Sequence, residues 1–186
     1  MNGKNQQAGI VAIKIRSGLN GIEKESMNKA LEYAYHLKGA SYSNGDYVLV
    51  VFSPLLTGKN NNEELAIKAA LDMDVFLKEH NRKFRANLID YGVGVNCGEI
   101  INIVEKGVLK FASINKTINL TKKIAEVSNQ EVLISKEVHE KTMNNVKADK
   151  VAEEGIDTKG LTLFRIKRVV DSQASQKFIN DFMRRQ

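Results

Sequence analysis

The longest uninterrupted apolar run in the chain is Tyr47-Val-Leu-Val-Val-Phe52, and turn chemistry closes it at both ends. Ser43-Asn-Gly-Asp46 precedes it and Pro54 follows. Six residues cannot cross a bilayer, which takes about 20. A β-branched and aromatic run bounded this way reads as a strand returning from a tight hairpin. Asn44-Gly45 is expected at the centre of the turn, since Asn-Gly tolerates positive φ at both positions. Pro54 ends the strand because it cannot donate to a ladder.

Periodicity places the other elements around this hairpin. Residues 8–15 read as a first strand, broken by Gly18 and Gly21. Over 22–36, Met27, Ala30, Leu31, Ala34 and Tyr35 share one helical face. A short strand near 39–42 leads into the hairpin. Asn60-Asn-Asn-Glu-Glu64 caps a second helix, which carries Leu65, Ala69, Met73, Phe76 and Leu77 inward and stops near His80-Asn81. A strand over 86–96 follows, with Leu88, Val93 and Val95 as its apolar residues. Turns at Gly98 and at Lys106-Gly107 set off strands at 100–104 and 108–114. Residues 115–127 are helical, with Leu120, Ile124 and Val127 on one side. A strand over 131–135 ends on Ser135, the expected N-cap of a short helix at 136–143. Strand-like pieces near 146–151 and 161–169 precede a tail, 171–186, read as a helix with Phe178, Ile179 and Phe182. The order β-α-β-β-α-β with additions predicts an α+β fold on a ferredoxin-like core. The expected division is a linker over 1–7, a domain over 8–170 and a helical tail over 171–186.

Composition narrows the class. Apolar residues make up 42% of 186, too many for disorder and enough for one core. No secretory apolar segment follows Met1, so a cytoplasmic domain without membrane contact is expected, and the polar opening suits a piece of a larger protein. A single cysteine excludes an internal disulfide, and Cys97 is expected to be a small buried thiol rather than a nucleophile. His36, His80 and His139 lack ligand spacing, which leaves no zinc site. Net charge is +6, but the 28 basic residues interleave with 22 acids. Only residues 165–168 and 184–185 cluster, so a solvated surface is expected rather than specific nucleic-acid binding.

Several phrases then line up in order. They are Asn44-Gly-Asp46 before Val48-Leu-Val-Val-Phe52, the helix over 63–81, Tyr91-Gly-Val-Gly-Val-Asn-Cys-Gly98, Thr117-Ile-Asn-Leu-Thr-Lys-Lys-Ile124, Glu131-Val-Leu-Ile-Ser135, and Lys159-Gly-Leu before Leu163-Phe-Arg-Ile166. Together they resemble the class III adenylate/guanylate cyclase catalytic domain over nearly the whole chain. The resemblance implies a head-to-tail dimer with nucleoside triphosphate sites at its interface. It also implies two carboxylates holding two Mg²⁺ or Mn²⁺ ions, which stabilise developing charge as the ribose 3′-oxygen attacks the α-phosphorus.

The match is uneven where the chemistry needs it. Asp46 stands at the hairpin metal position and Asn119 at the helix asparagine. The partner aspartate should end the first strand, yet Lys14-Ile-Arg-Ser-Gly18 contains no acid. Lys123 replaces the helix arginine and loses its planar fork. Tyr42 stands for the base-reading lysine and Ala112 for the base-reading acid. One carboxylate is a poor cage for two divalent ions, and fixed cations beside it repel them. The expectation is a degenerate cyclase-like domain, with no cofactor of its own, that forms a homodimer or heterodimer and relays a signal. A residual cyclase completed by another subunit, using Mg²⁺ or Mn²⁺, is the enzyme alternative, and a basic nucleic-acid-binding module the third.

Each residue also has a plainer role. Asp46 is good turn chemistry, Lys123 beside Lys122 suits a solvated face, and Lys14 and Arg16 suit strand-end solvation as readily as phosphate counter-charge. Gly92, Gly94 and Gly98 fit close backbone packing. Tyr42 either anchors a dimer or packs on its hairpin partner. The expected dimer surface comprises the 92–98 segment, the 42–46 turn and the exposed face of the 115–127 helix.

Overall fold

The computed structural model describes residues 4–105, 108–111, 116–151 and 160–170. Its centre is β1 (Lys4–Ile15), which pairs antiparallel with β3 (Tyr47–Phe52) on one side and β4 (Tyr91–Glu105) on the other. With β2 (Ala40–Asn44) outside β3, the order β2-β3-β1-β4 is that of a ferredoxin-like core. Beyond β4, β6 (Val132–Ser135) adds in parallel, then β8 (Leu163–Val169) and β7 (Val146–Lys150) antiparallel. β5 (Val108–Phe111) folds back on the far end of β4. Among the described residues the sheet has eight strands, with helices on both faces, the α+β architecture expected from the sequence.

Side-chain alternation on β1 explains the two layers. Val11 and Ile13 join Val48, Val50, Phe52, Val93 and Val95 beneath α1 (Gly21–His36) and α3 (Asn62–Lys83). Ile10 and Ala12 point the other way, with Ala8, Leu49, Val51 and Ile100, and meet Ile118 and Ala125 of α4 (Lys116–Val127). Burial on both faces is why 47–52 is continuously apolar. Complete burial contributes about 1.5–3 kcal/mol for each large aliphatic or aromatic side chain.

Helix α4 approaches unusually closely because its floor is made of small residues. A Cβ on Gly94 would lie 2.5 Å from Ala125 N and 2.7 Å from Thr121 O, and one on Gly92 would lie 2.3 Å from Ala125 O. The close-packing role expected of these glycines is what the geometry shows.

Elsewhere tertiary pairing overrides local pattern. Residues 4–7, expected as linker, are strand, with Lys4, Asn5, Gln6 and Gln7 opposite Asn102, Ile101, Ile100 and Glu99. Gly98 does not turn the chain, and β4 runs through it. Leu88, expected in a strand, is exposed ahead of β4, and Tyr35 turns outward to share a 2.6 Å hydrogen bond with Ser41 Oγ. A short helix, α2 (Pro54–Thr57), was not anticipated. The expected N-cap Ser135 accepts from Val138 N of α5 (Lys136–Thr142) at 3.2 Å. The 171–186 tail, Ala112, Lys106-Gly107 and Lys159 lie outside the described residues.

Candidate functional site

The hairpin turn is one residue later than expected. Asn44 pairs with Tyr47, so Gly45 and Asp46 are its central residues. Only Gly45 has positive φ, +59°, and glycine at the first central position is the type II′ pattern. The shift matters because it fixes Asp46 at the tip, where its carbonyl accepts from Ile15 N at 2.8 Å. The turn and the end of β1 are thereby tied together.

Lys14 and Arg16 project from that strand end toward the α4 face, as their alternation with Ile13 and Ile15 requires. The Lys14 ammonium lies 3.2 Å from Asp46 Oδ2 and 4.5 Å from the centre of the Tyr47 ring. Lys122 of α4 stands 5.1 Å from the same ring and donates to Asn44 Oδ1 at 2.8 Å. The Tyr47 hydroxyl donates to Glu126 Oε1 at 2.6 Å, and burial, with that carboxylate, pushes the phenol well above its ordinary pKa. Side chains from β1, β2, the turn, β3 and α4 thus form one charged cluster. The Asp46 side chain is 75% exposed and Lys14 only 21%. An ion pair this open on one side adds at most about 1 kcal/mol of stability.

Arg16 does something the sequence did not announce. Its guanidinium donates to the carbonyls of Ser128 (2.5 Å), Glu126 (2.9 Å) and Ala125 (3.4 Å) and to Asp90 Oδ1 (3.3 Å). The Ala125 and Glu126 carbonyls belong to the last turn of α4 and that of Ser128 follows directly, and carbonyls at a helix end lack partners within the helix. The guanidinium is consumed as a C-terminal cap, favoured also by the helix dipole.

Beside the turn lies a shallow cleft of about 300 Å³, lined by Ile15, Ser17, Gly18, Leu19, Ser43, Gly45 and Asp46 among others. Asn119 and Lys123 sit one turn apart on the exposed side of α4, while Tyr42 is half-buried on the Leu49 and Val51 side of the sheet. Cys97 is buried, with Lys141, Glu63 and Glu137 among the charged groups acting on it, and burial pushes its thiol up to about 11. Among the described residues no group of three or more His, Cys, Asp or Glu side chains could hold a metal ion.

No protein-family model and no curated protein matches the sequence. Solved structures do. The adenylyl cyclase CyaB from P. aeruginosa superposes with a TM-score of 0.70 at 17% identity, over 92% of this chain and 98% of that one. The guanylyl cyclase Cya2 gives 0.64 at 21% identity, over 92% and 97%. The guanylate cyclase domain of RhGC from Catenaria anguillulae in complex with GTP gives 0.66 at 17%, over 89% and 99%. The chain has the class III nucleotidyl cyclase fold.

Within that cyclase fold, two of the positions singled out from the sequence, Lys14 and Asp46, come together at one end of β1. Asp46 and Lys14 meet, Tyr47 links them to α4, and Asn119 and Lys123 share that helix. Residues 91–97 are buried within the chain itself, so this part of the expected dimer surface is not available to a partner. Two residues of the cluster, Tyr47 and Glu126, were missed; Tyr47 read simply as part of the apolar run.

Proposed function

We propose that this is a cyclase-fold signalling module that works through association and makes no cyclic nucleotide by itself. The observation carrying the reading is Lys14 at the strand end where the resemblance calls for a metal-holding aspartate, with its ammonium 3.2 Å from the one carboxylate retained. These residues do not fit a two-metal centre. A divalent ion pair needs several oxygen ligands, and here a single carboxylate is already satisfied by a fixed cation. Lys123 offers a point charge instead of a fork, and the arginine closest to the turn in sequence, Arg16, caps α4.

The expected result is no detectable cyclic nucleotide from ATP or GTP with Mg²⁺ or Mn²⁺. Turnover that disappears with Asp46→Ala would return the chain to the active cyclases.

Association is the remaining use of a scaffold kept without its chemistry. The 42–46 turn and the exposed side of α4 are the available part of the proposed surface. Sedimentation equilibrium should detect a homodimer with Kd on the order of 1–100 μM, a weak interface by the usual scale. A strict monomer at high micromolar concentration rules out self-association and leaves only a different chain as partner.

A further inference from the structure

We infer that Lys14 is a resident cation, a side chain that takes over beside Asp46 the place of a dissociable divalent ion and makes the turn independent of metal. This deepens the reading given under Proposed function and rests on it.

The placement is built rather than incidental. Lys14 is held in register by pairing on both sides, opposite Tyr47 on β3 and Gly92 on β4. Its stem therefore leaves the sheet at a fixed point, and little of the side chain is exposed to solvent. The ammonium has two anchors, the Asp46 carboxylate and the face of the Tyr47 ring. That ring is itself fixed by its hydroxyl, which donates to Glu126 on α4. Lys122 approaches the ring as well and holds Asn44, the residue that opens the turn. Two ammonium groups thus stand by one ring beside the turn. Lys14 faces Asp46 from the turn and Tyr47 from β3, and the other charged groups around that ring are Lys122 and Glu126 from α4 and Arg16 from the end of β1.

A divalent ion at Asp46 would stand beside the Lys14 ammonium, with the Asp46 carboxylate to hold it while the Glu126 carboxylate is engaged by the Tyr47 hydroxyl. Lysine avoids the problem by being attached. The turn stays joined to β1 whether Mg²⁺ is present or chelated. The barrier to metal binding then lies in one side chain, and exchanging its charge should remove it.

Mn²⁺ binding followed by electron paramagnetic resonance tests this directly. The wild-type chain should show no site up to millimolar Mn²⁺. Lys14→Asp should bind Mn²⁺ at least tenfold more tightly than wild type, and adding Asp46→Asn should abolish the gain. Circular dichroism establishes that each variant is folded. If Lys14→Asp does not fold, Lys14→Gln serves instead. Removing the charge alone should increase Mn²⁺-induced broadening of the Gly45, Asp46 and Tyr47 amide signals at least threefold at equal Mn²⁺. Wild-type Mn²⁺ binding that Asp46→Asn removes would overturn the inference. So would a folded Lys14→Asp, or failing that a folded Lys14→Gln, indifferent to Mn²⁺. That indifference would leave the proposal of an inactive signalling module standing, whereas cyclic nucleotide formation by the wild type would remove that proposal.

Discussion

Replacing Gly94 by valine is expected to destabilise the fold by about 3 kcal/mol or more, a large share of an ordinary total stability of about 5–15 kcal/mol. The added Cβ alone would meet Ala125 N at 2.5 Å, Thr121 O at 2.7 Å and Ile124 Cβ at 2.9 Å. Two of these are backbone atoms of a helix, which cannot rotate aside as a side-chain tip can. Helix α4 would have to lift, and Ile118 and Ala125 would lose their contact with Ile10 and Ala12. The charged cluster would part as well, since Lys122 and Glu126 ride on α4 while Asn44 and Tyr47 stay on the sheet. Gly58→Ala is the control. Gly58 ends α2 with φ +67° and has no atom within 4 Å of where its Cβ would stand. It should cost only the left-handed penalty of about 1 kcal/mol. Urea denaturation compares the two, and a Gly94→Val loss no larger than that of Gly58→Ala would refute close packing as the reason for the glycine.

What could be read from the sequence was what local pattern controls. The stripe Met27, Ala30, Leu31, Ala34 is buried as a 3.6-residue period demands, and the apolar run 48–52 lies in the core. Where the pattern misled, a non-local partner decided. Residues 4–7 are polar and carry no strand signature, yet β4 offers them a ladder, and backbone hydrogen bonding is blind to side-chain polarity. Leu88 fitted an apolar strand but falls before the register with β1 begins, at the Ile15–Tyr91 pair. At the site, the residue types were visible and their meeting was not. Lys14 and Asp46 are 32 residues apart, and only the β1–β3 register brings them together. The turn was placed one residue early because Asn-Gly and Gly-Asp both make good hairpins, and strand pairing chose between them. The cyclase resemblance drew attention to Asp46 and the end of β1, and the register explains how a lysine comes to stand beside that carboxylate.

Arg16 is the residue whose role sequence reasoning could least supply, and its loss is expected to be nearly as costly as the glycine change. Arg16→Ala should lower stability by about 2–4 kcal/mol, since helix-end carbonyls in a partly buried corner lose charged donors. The guanidinium spans three carbonyls at the end of α4 and Asp90 at once, and its side chain is 27% exposed, so water replaces it only in part. Arg16→Lys should recover about half of the loss. A single ammonium keeps the attraction to the helix dipole but cannot reach all of these acceptors from one point. The damage should also be local. Amide exchange should accelerate in the last turn of α4, from Ile124 to Ser128, before it does so in α1 or α3, which pack on the opposite face. That order distinguishes a cap from a general contribution to the core. If Arg16→Ala leaves both the urea midpoint and exchange at the end of α4 unchanged, the guanidinium is not what holds this helix to β1, and the charged cluster that depends on α4 must be fixed by its glycine floor alone.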